Sequence, residues 1–303
     1  MRFKVDHSTL YTYAQAASSS QSLVHLRPQH HARQHLSSYR LVVDPAPVVV
    51  SERIDYFGNC EQRVEVQGRH SVLNITSHSE LETFPLVDIE PERFQSWENL
   101  VAASRVHTAS DVVAAEVALE SPLVPINREY AAIARQFFTP GRNILLAATQ
   151  FNGFLHRDFT YRPGATNVST PVEDVVRLKA GVCQDFAHVM LACLRSLGLS
   201  ARYVSGYVET STPSGAPVLE GSSASHAWIS LRCGTSQWID FDPTNDCLAG
   251  ERHITVAHGR DFGDVTPIKG VIVGGAGQEV TVGVSVIRQP PVSRSQSQTQ
   301  TQS

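Results

Sequence analysis

The sequence predicts an α+β protein with a β-rich N-terminal domain and a helical segment that leads into a mixed C-terminal half. The N-terminal prediction rests on short runs of β-branched residues, separated by Gly58-Asn59 and Gly68, at 41–43, 48–50 and 72–75. Strands of this length and spacing are typical of a β-sandwich. Apolar residues then recur at helical spacing, and strand-like alternation returns at 225–242.

Composition limits the function classes. The chain has 303 residues, which suffice for one large or two ordinary domains. Since 42% of them are hydrophobic and 18% charged, the composition excludes a disordered protein. No apolar run approaches a membrane span, and the first residues lack the apolar stretch of a signal peptide. The net charge of −4, without a basic block, argues against nucleic acid or a membrane as the partner.

Five cysteines occur, an odd number, and none forms a Cys-x-x-Cys pair. In a chain of this size the count argues against a disulfide framework and favours a reducing, cytoplasmic location. At least one thiol is therefore free to act as a buried apolar group or as a nucleophile.

The patterns divide the chain into four segments. We predict a β domain over 1–90, a helical connection over 91–142, a core with the C-terminal strands over 143–288, and a disordered Ser/Gln/Thr-rich tail over 289–303. One core helix is indicated by a stripe of apolar residues at Ile144, Ala148, Phe151 and Leu155.

A second, short helix is predicted from Thr170-Pro171-Val172-Glu173, in which the threonine would be the N-cap, with an end near Gly181. A third begins at Cys183, two residues after that glycine, and its apolar stripe runs to Leu197 before Gly198. Backbone N–H groups at a helix start favour a thiolate, although Asp185 in the same turn opposes it. Cys183 is therefore the candidate nucleophile, whereas Cys193 lies on the apolar stripe and is expected to be packed in the core.

A nucleophilic thiol needs a base and a group that orients the base. Residues 225–231 and 237–242 alternate as two strands of a hairpin, with His226 on a polar face and Asp240 and Asp242 on the polar face of its neighbour. We expect His226 to be the base. Asp242 is the preferred orienting acid because Pro243 ends its strand, and Asp240 remains the alternative.

The remaining histidines have weaker signals. His188 lies too far around the helix to reach Cys183, and structural or solvated roles are expected for His156, His253 and His258. His31 and His35 have a spacing that binds metals on a helix, but Pro28 and the polar surroundings indicate a loop. No metal or other cofactor is predicted, because no two close ligand pairs exist elsewhere.

Four motifs together resemble the transglutaminase-like superfamily, and more narrowly its bacterial branch whose members are described as cysteine proteases. They are Gly-Val-Cys-Gln-Asp-Phe-Ala-His at 181–188, Ala-Arg-Tyr-Val-Ser-Gly-Tyr at 201–207, Ser-His-Ala-Trp at 225–228 and Phe-Asp-Pro-Thr-Asn at 241–245. The resemblance implies a papain-like core, in which a helix carrying the cysteine packs on an antiparallel sheet. It also implies a Cys183–His226–Asp242 triad, and it extends to the N-terminal β domain and to residues 256–262.

This triad would transfer an acyl group from a peptide or carboxamide to water or to an amine through a thioester. A peptidase or amidase acting on a protein or peptide is the preferred reading, because the sequence has no carboxylate-dense loop of the kind that binds Ca²⁺ in animal transglutaminases. The alternatives are a transglutaminase that forms isopeptide crosslinks and a non-catalytic binding module. The oxyanion donors are expected to include the Cys183 N–H. Tyr161 is a candidate for the second donor, although a packed aromatic side chain is the preferred interpretation of this residue.

Overall fold

The computed structural model describes residues 1–87, 89–104, 112–210, 219–221 and 225–290. The strands are β1 (Arg2–Val24), β2 (Gln34–Asp44), β3 (Val49–Ile54), β4 (Cys60–Thr83), β5 (Thr160–Tyr161), β6 (Ala180–Gly181), β7 (Ala201–Val208), β8 (His226–Arg232), β9 (Trp238–Asp242), β10 (Cys247–Leu248), β11 (His253–Gly259), β12 (Ile268–Gly274) and β13 (Gln278–Gln289). The helices are α1 (Trp97–Ser104), α2 (Val112–Glu116), α3 (Arg128–Arg135), α4 (Ile144–Asp158), α5 (Val172–Leu178), α6 (Cys183–Ser196) and α7 (Phe262–Val265). The predicted tail lies outside the described residues from 291 onward.

A six-stranded sheet forms the N-terminal domain, and two long strands are its axis. β1 and β4 pair antiparallel from Arg2 opposite Glu82 to Val24 opposite Gln62. β2 and β3 pair with successive halves of β4, while β13 and β12 pair with successive halves of β1. Residues from both halves share a separate apolar core, as in a sandwich, made of Tyr13, Ala17, Val24, Leu26, Val64, Val66, Leu73 and Ile75.

The two C-terminal strands, β12 and β13, are therefore part of the N-terminal sheet, although their sequence follows the core directly. They cover an edge of β1 that would otherwise expose unpaired backbone groups over 23 residues. β13 also continues to Gln289, the first residue of the predicted tail.

A second, five-stranded antiparallel sheet of order β10-β9-β8-β7-β11 carries the core. Helix α6 packs against it, and 12 of the helix residues are buried, which explains why apolar residues nearly surround its axis. The stripe predicted for α4 is buried at all four positions. No helix within the described ranges is both long and apolar enough to cross a membrane.

The short helix α5 differs from its prediction at the N-terminus. It begins at Val172 with Pro171 as the residue before it, and Thr170 does not cap it. The Thr170 hydroxyl instead accepts a hydrogen bond from the N–H of Asn167 at 2.9 Å, so it stabilises the preceding turn. The helix ends where Lys179 adopts a left-handed conformation with φ of 46°.

Buried side-chain amides join the two sheets at strand β11, where a bulge interrupts its pairing with β7. The Gln34 side chain accepts from the N–H of Thr255 and donates to its carbonyl, both at 2.8 Å. Asn59 does the same with His258, at 2.8 and 2.7 Å. Each amide takes the place of a neighbouring strand, because β11 is the edge strand of the core sheet and its outward backbone groups have no strand partner.

Candidate active site

Cys183 is the first residue of α6, and 8% of its surface is exposed. The helix start is fixed by Asp185, whose Oδ2 accepts from the backbone N–H of Val182 at 2.7 Å and from the Thr166 hydroxyl at 2.6 Å. A Cβ on Gly181 would lie 2.5 Å from the same carboxylate oxygen. Glycine is therefore required at position 181, two residues before the cysteine, because any side chain there would displace the carboxylate that holds the helix N-terminus.

His226 and Asp242 form a fully buried pair at the end of the core sheet. His226 is the first residue of β8 and Asp242 the last of β9, and both side chains have 0% exposure. The imidazole Nε2 donates to Oδ2 of Asp242 at 2.8 Å. The other carboxylate oxygen, Oδ1, accepts from the N–H groups of Thr244 at 2.9 Å and Asn245 at 3.2 Å. The carboxylate is thus held in one orientation from both sides.

This environment favours a charged imidazole. Burial lowers the pKa of His226, but the Asp242 carboxylate and the Cys183 thiolate outweigh it and raise the value to about 10. Burial raises the pKa of Asp242, but the hydrogen bonds and charges of His226 and His253 outweigh it and hold the pKa well below the usual range. Asp242 is therefore a permanent anion that stabilises an imidazolium at His226.

The second imidazole nitrogen, Nδ1, is the one available to the thiol. Because Nε2 is bound to Asp242, Nδ1 is the nitrogen left for Cys183, and it is buried with no hydrogen-bond partner among the described residues. Gly221 covers it: a Cβ there would lie 2.5 Å from Nδ1. The arrangement can take a proton from the thiol and hold it on a buried nitrogen.

Asn245 and His253 complete the surroundings of Asp242, and the sequence patterns did not assign either to the site. The Asn245 Nδ2 donates to Oδ2 at 2.7 Å, and the His253 Nε2 donates to the same oxygen at 3.0 Å. His253 was expected to be structural or solvated in a polar stretch, but it is buried at the start of β11. The polar–apolar alternation of His-Ile-Thr-Val at 253–256 is the signal that indicates this strand.

Asp240, the alternative acid, has another partner. It lies opposite Ser230 on β8, and its Oδ2 accepts from Nη2 of Arg33 at 3.0 Å. Tyr161 pairs in parallel with Gly181 next to the helix start. Burial, followed by the charges of Cys183, Glu220 and Asp242, raises the pKa of Tyr161 to about 12, which keeps its hydroxyl protonated near the thiol.

The other histidines stay outside the site. Nε2 of His188 accepts from the N–H of Phe262 at 3.2 Å, and His156 bonds to the Thr244 carbonyl through Nδ1 at 2.8 Å. His35 lies in β2 with its ring packed on His30, at 4.8 Å between ring centroids.

One group of side chains among the described residues has the spacing of metal ligands, and it is His226, Asp242 and His253. Their ligand atoms lie within 4.8 Å of one another. Hydrogen bonds of 2.8 and 3.0 Å into a single carboxylate oxygen account for this closeness. The site is thus a carboxylate bound by two imidazoles.

Two family models match the chain. Residues 3–82 match the bacterial transglutaminase-like N-terminal region, and residues 131–243 match the transglutaminase-like superfamily core. The uncharacterized protein Rv2569c of Mycobacterium tuberculosis is 37% identical over 287 residues, which cover 89% of this chain and 87% of that protein. The uncharacterized protein ML0607 of Mycobacterium leprae is 33% identical over 293 residues, which cover 95% of this chain and 99% of that protein.

A shorter match is to a protein-glutamine gamma-glutamyltransferase of Pseudomonas aeruginosa, 30% identical over 102 residues, which cover 33% of this chain and 15% of that protein. Among solved structures, "a Putative Cysteine Protease from Cytophaga hutchinsonii" superposes with a TM-score of 0.74 at 20% identity, covering 95% of this chain and 90% of that one. The fold and the motif order agree with these matches, and the chain belongs to the transglutaminase-like superfamily.

Proposed function

We propose that the protein is a cysteine-dependent acyl-transfer enzyme that acts on peptide or carboxamide bonds, with Cys183 as nucleophile, His226 as base and Asp242 as orienting acid. The observation that carries the proposal is the fully buried His226–Asp242 pair, whose imidazole also interacts with Cys183 at the N-terminus of α6. Water is the preferred acceptor, which makes the protein a peptidase or amidase.

In the first step, Nδ1 of His226 takes the proton of Cys183, and the thiolate sulfur attacks the carbonyl carbon. The tetrahedral adduct collapses when the carbon–nitrogen bond breaks, and the imidazolium returns its proton to the leaving amine. The enzyme is left as a thioester at Cys183. Asp242 stabilises the imidazolium throughout without itself taking the proton, because its pKa lies far below that of the histidine.

In the second step, the acceptor attacks the thioester. A water molecule gives up its proton to Nδ1 of His226, its oxygen bonds to the acyl carbon, and the thiolate leaves. The negative oxygen that forms in each step needs donors. The N–H of Cys183 is one, because it lies at the positive end of α6, and the protonated hydroxyl of Tyr161 is the candidate for the second.

An amine acceptor is the second candidate function. A lysine amine in place of water would give an isopeptide crosslink, and the match to the Pseudomonas gamma-glutamyltransferase over 102 residues favours it. The composition favours water, since the sequence has no carboxylate-dense loop like those through which Ca²⁺ acts in animal transglutaminases. Both acceptors would use the same three residues.

The test is incubation with a peptide library and a labelled primary amine, followed by mass spectrometry. Cleavage or deamidation identifies water as the acceptor, whereas incorporation of the amine identifies transamidation. Cys183→Ala is the matched inactive control, and Cys193→Ala, which alters a thiol in the core, should retain activity. A binding module without catalysis would give the same spectra for the native protein and for Cys183→Ala.

A further inference from the structure

A cavity of about 400 Å³ lies between the loop after β1 and the core sheet, and no residue of the proposed triad lines it. The N-terminal domain contributes His31, Arg33 and Phe57 to its wall, and the core sheet contributes Arg202, Trp238 and His258. The volume lies within the range of sites that hold small organic ligands. The cavity therefore has both the size and the mixed polar and aromatic lining of a binding site.

The Arg202 side chain is the main feature of this cavity. Its guanidinium carbon lies 4.4 Å from the centre of the Trp238 ring, so the flat cation stacks on the indole. Its Nε is buried and has no hydrogen-bond partner among the described residues, and no carboxylate in the described ranges forms an ion pair with it. The guanidinium is half-buried, and its buried, unpartnered Nε is a donor that a bound anion would satisfy.

The remaining charges of the cavity do not neutralise Arg202. The one carboxylate in its wall, Asp240, is bound to Arg33 at 3.0 Å and also attracts Arg202, so two arginines share one carboxylate and one positive charge is left over. Burial lowers the pKa of His258, and the charges of Arg202, His31 and Arg33 lower it further. Both effects leave that ring neutral, and the net charge of the cavity is that of Arg202.

We propose that this cavity binds a small organic anion, with the carboxylate or phosphate group on the Arg202 guanidinium and the organic part against Trp238 and Phe57. The planar guanidinium matches either anion with two parallel hydrogen bonds. Because the walls come from both domains, the bound anion also stabilises their interface.

The experiment is isothermal titration calorimetry of the full chain at constant ionic strength with three probes of similar size. Benzoate and phenyl phosphate carry the two anionic groups, and benzamide is the neutral counterpart of benzoate. We expect saturable binding of at least one anion and a corresponding rise in melting temperature, with no binding of benzamide. The anion that binds more tightly identifies the group.

Variants locate the binding. Arg202→Gln is expected to weaken the affinity for the anion by at least about tenfold, which is the effect of losing a hydrogen bond to a charged group. Arg202→Lys keeps the charge without the planar fork, and its affinity for the anion should lie between those of the native protein and Arg202→Gln. The control Arg69→Gln, on an exposed part of β4, should bind the anion like the native protein. Equal binding of benzoate and benzamide, no binding of either anion, or unchanged binding in Arg202→Gln would overturn the proposal. If the Arg202 variants do not fold, the comparison of benzoate with benzamide on the native protein decides.

Discussion

Replacing Asp242 by asparagine is the most informative perturbation of the site, because the two oxygens of this carboxylate accept from different sets of donors. Oδ2 accepts from His226, Asn245 and His253, and Oδ1 accepts from the backbone N–H groups of Thr244 and Asn245. An asparagine amide has the same shape but only one oxygen. In either orientation its NH₂ group faces N–H donors, so the variant loses both the charge and part of the hydrogen bonding.

The cost is expected in stability and in reactivity. Turning the amide towards the backbone loses at least two hydrogen bonds in a site with 0% exposure, and removing one partner of a buried ion pair typically costs about 3–5 kcal/mol of unfolding free energy. Without the anion only Cys183 is left to oppose the effect of burial, and the pKa of His226 falls from about 10. Cys183 then loses its imidazolium partner, and we expect turnover to fall about 10²–10⁴-fold.

The assay needs no known substrate. The rate at which limiting iodoacetamide alkylates Cys183, followed by peptide mass spectrometry near neutral pH, reports the population of reactive thiolate. We expect Asp242→Asn to slow the alkylation by at least about tenfold, because each unit by which the pKa of His226 falls makes its imidazolium tenfold harder to form. Chemical denaturation of the same variant measures the loss of stability.

Asp240→Asn is the matched control, because Asp240 lies two residues away on the same strand and pairs with Arg33 rather than with His226. It should slow alkylation by less than tenfold, that is by less than about 1.4 kcal/mol. A larger loss of Cys183 reactivity in Asp240→Asn than in Asp242→Asn would refute the assignment of the orienting role to Asp242.

Three further predictions follow from the same contacts. Cys183 should be alkylated before Cys193, whose thiol is buried in the core with a raised pKa, and a faster reaction at Cys193 would contradict the site. His253→Gln, which keeps an N–H donor, should retain more Cys183 reactivity than His253→Leu, and equal losses would exclude a hydrogen-bonding role. Burial lowers the pKa of His7 and of His188 to about 4. The free energy of unfolding should therefore fall as the pH drops from 6.5 to 4, by up to about 3 kcal/mol for each group, as chemical denaturation would measure. His188→Leu should make this dependence on pH less steep.

Local patterns in the sequence were sufficient for part of the site. The helix that starts at Cys183 follows from a glycine and an apolar stripe, and the hairpin that brings His226 beside Asp242 follows from alternation in two adjacent segments. Each of these relations spans few residues, so the periodicity of one segment determines it. The proline after Asp242 favours this residue over Asp240 as the orienting acid; in the structure His226 donates to Asp242, whereas Arg33 donates to Asp240.

The parts that the sequence did not predict depend on contacts between distant segments. His253 reaches Asp242 only because β11 pairs with β7 at the far edge of the sheet, and no local pattern indicates which strands will be neighbours. The placement of β12 and β13 beside β1 joins residues more than 240 positions apart. The N-cap of α5 is also mispredicted, because a capping motif does not specify which of two local turns it stabilises. The Thr170 hydroxyl accepts from Asn167 in the preceding turn instead of capping the helix.

The same long-range contacts connect the N-terminal domain to the chemistry of the core. Gln34 and Asn59 hold the bulged strand β11 through four hydrogen bonds, and β11 begins with the histidine that donates to Asp242. Glu209, with 0% exposure, binds Arg252 in front of that histidine and Arg288 on β13, which ties the N-terminal sheet to the same point. Because a shift of β11 would move a donor away from the carboxylate, the position of Asp242 depends on the N-terminal sheet as well as on the strand that carries it.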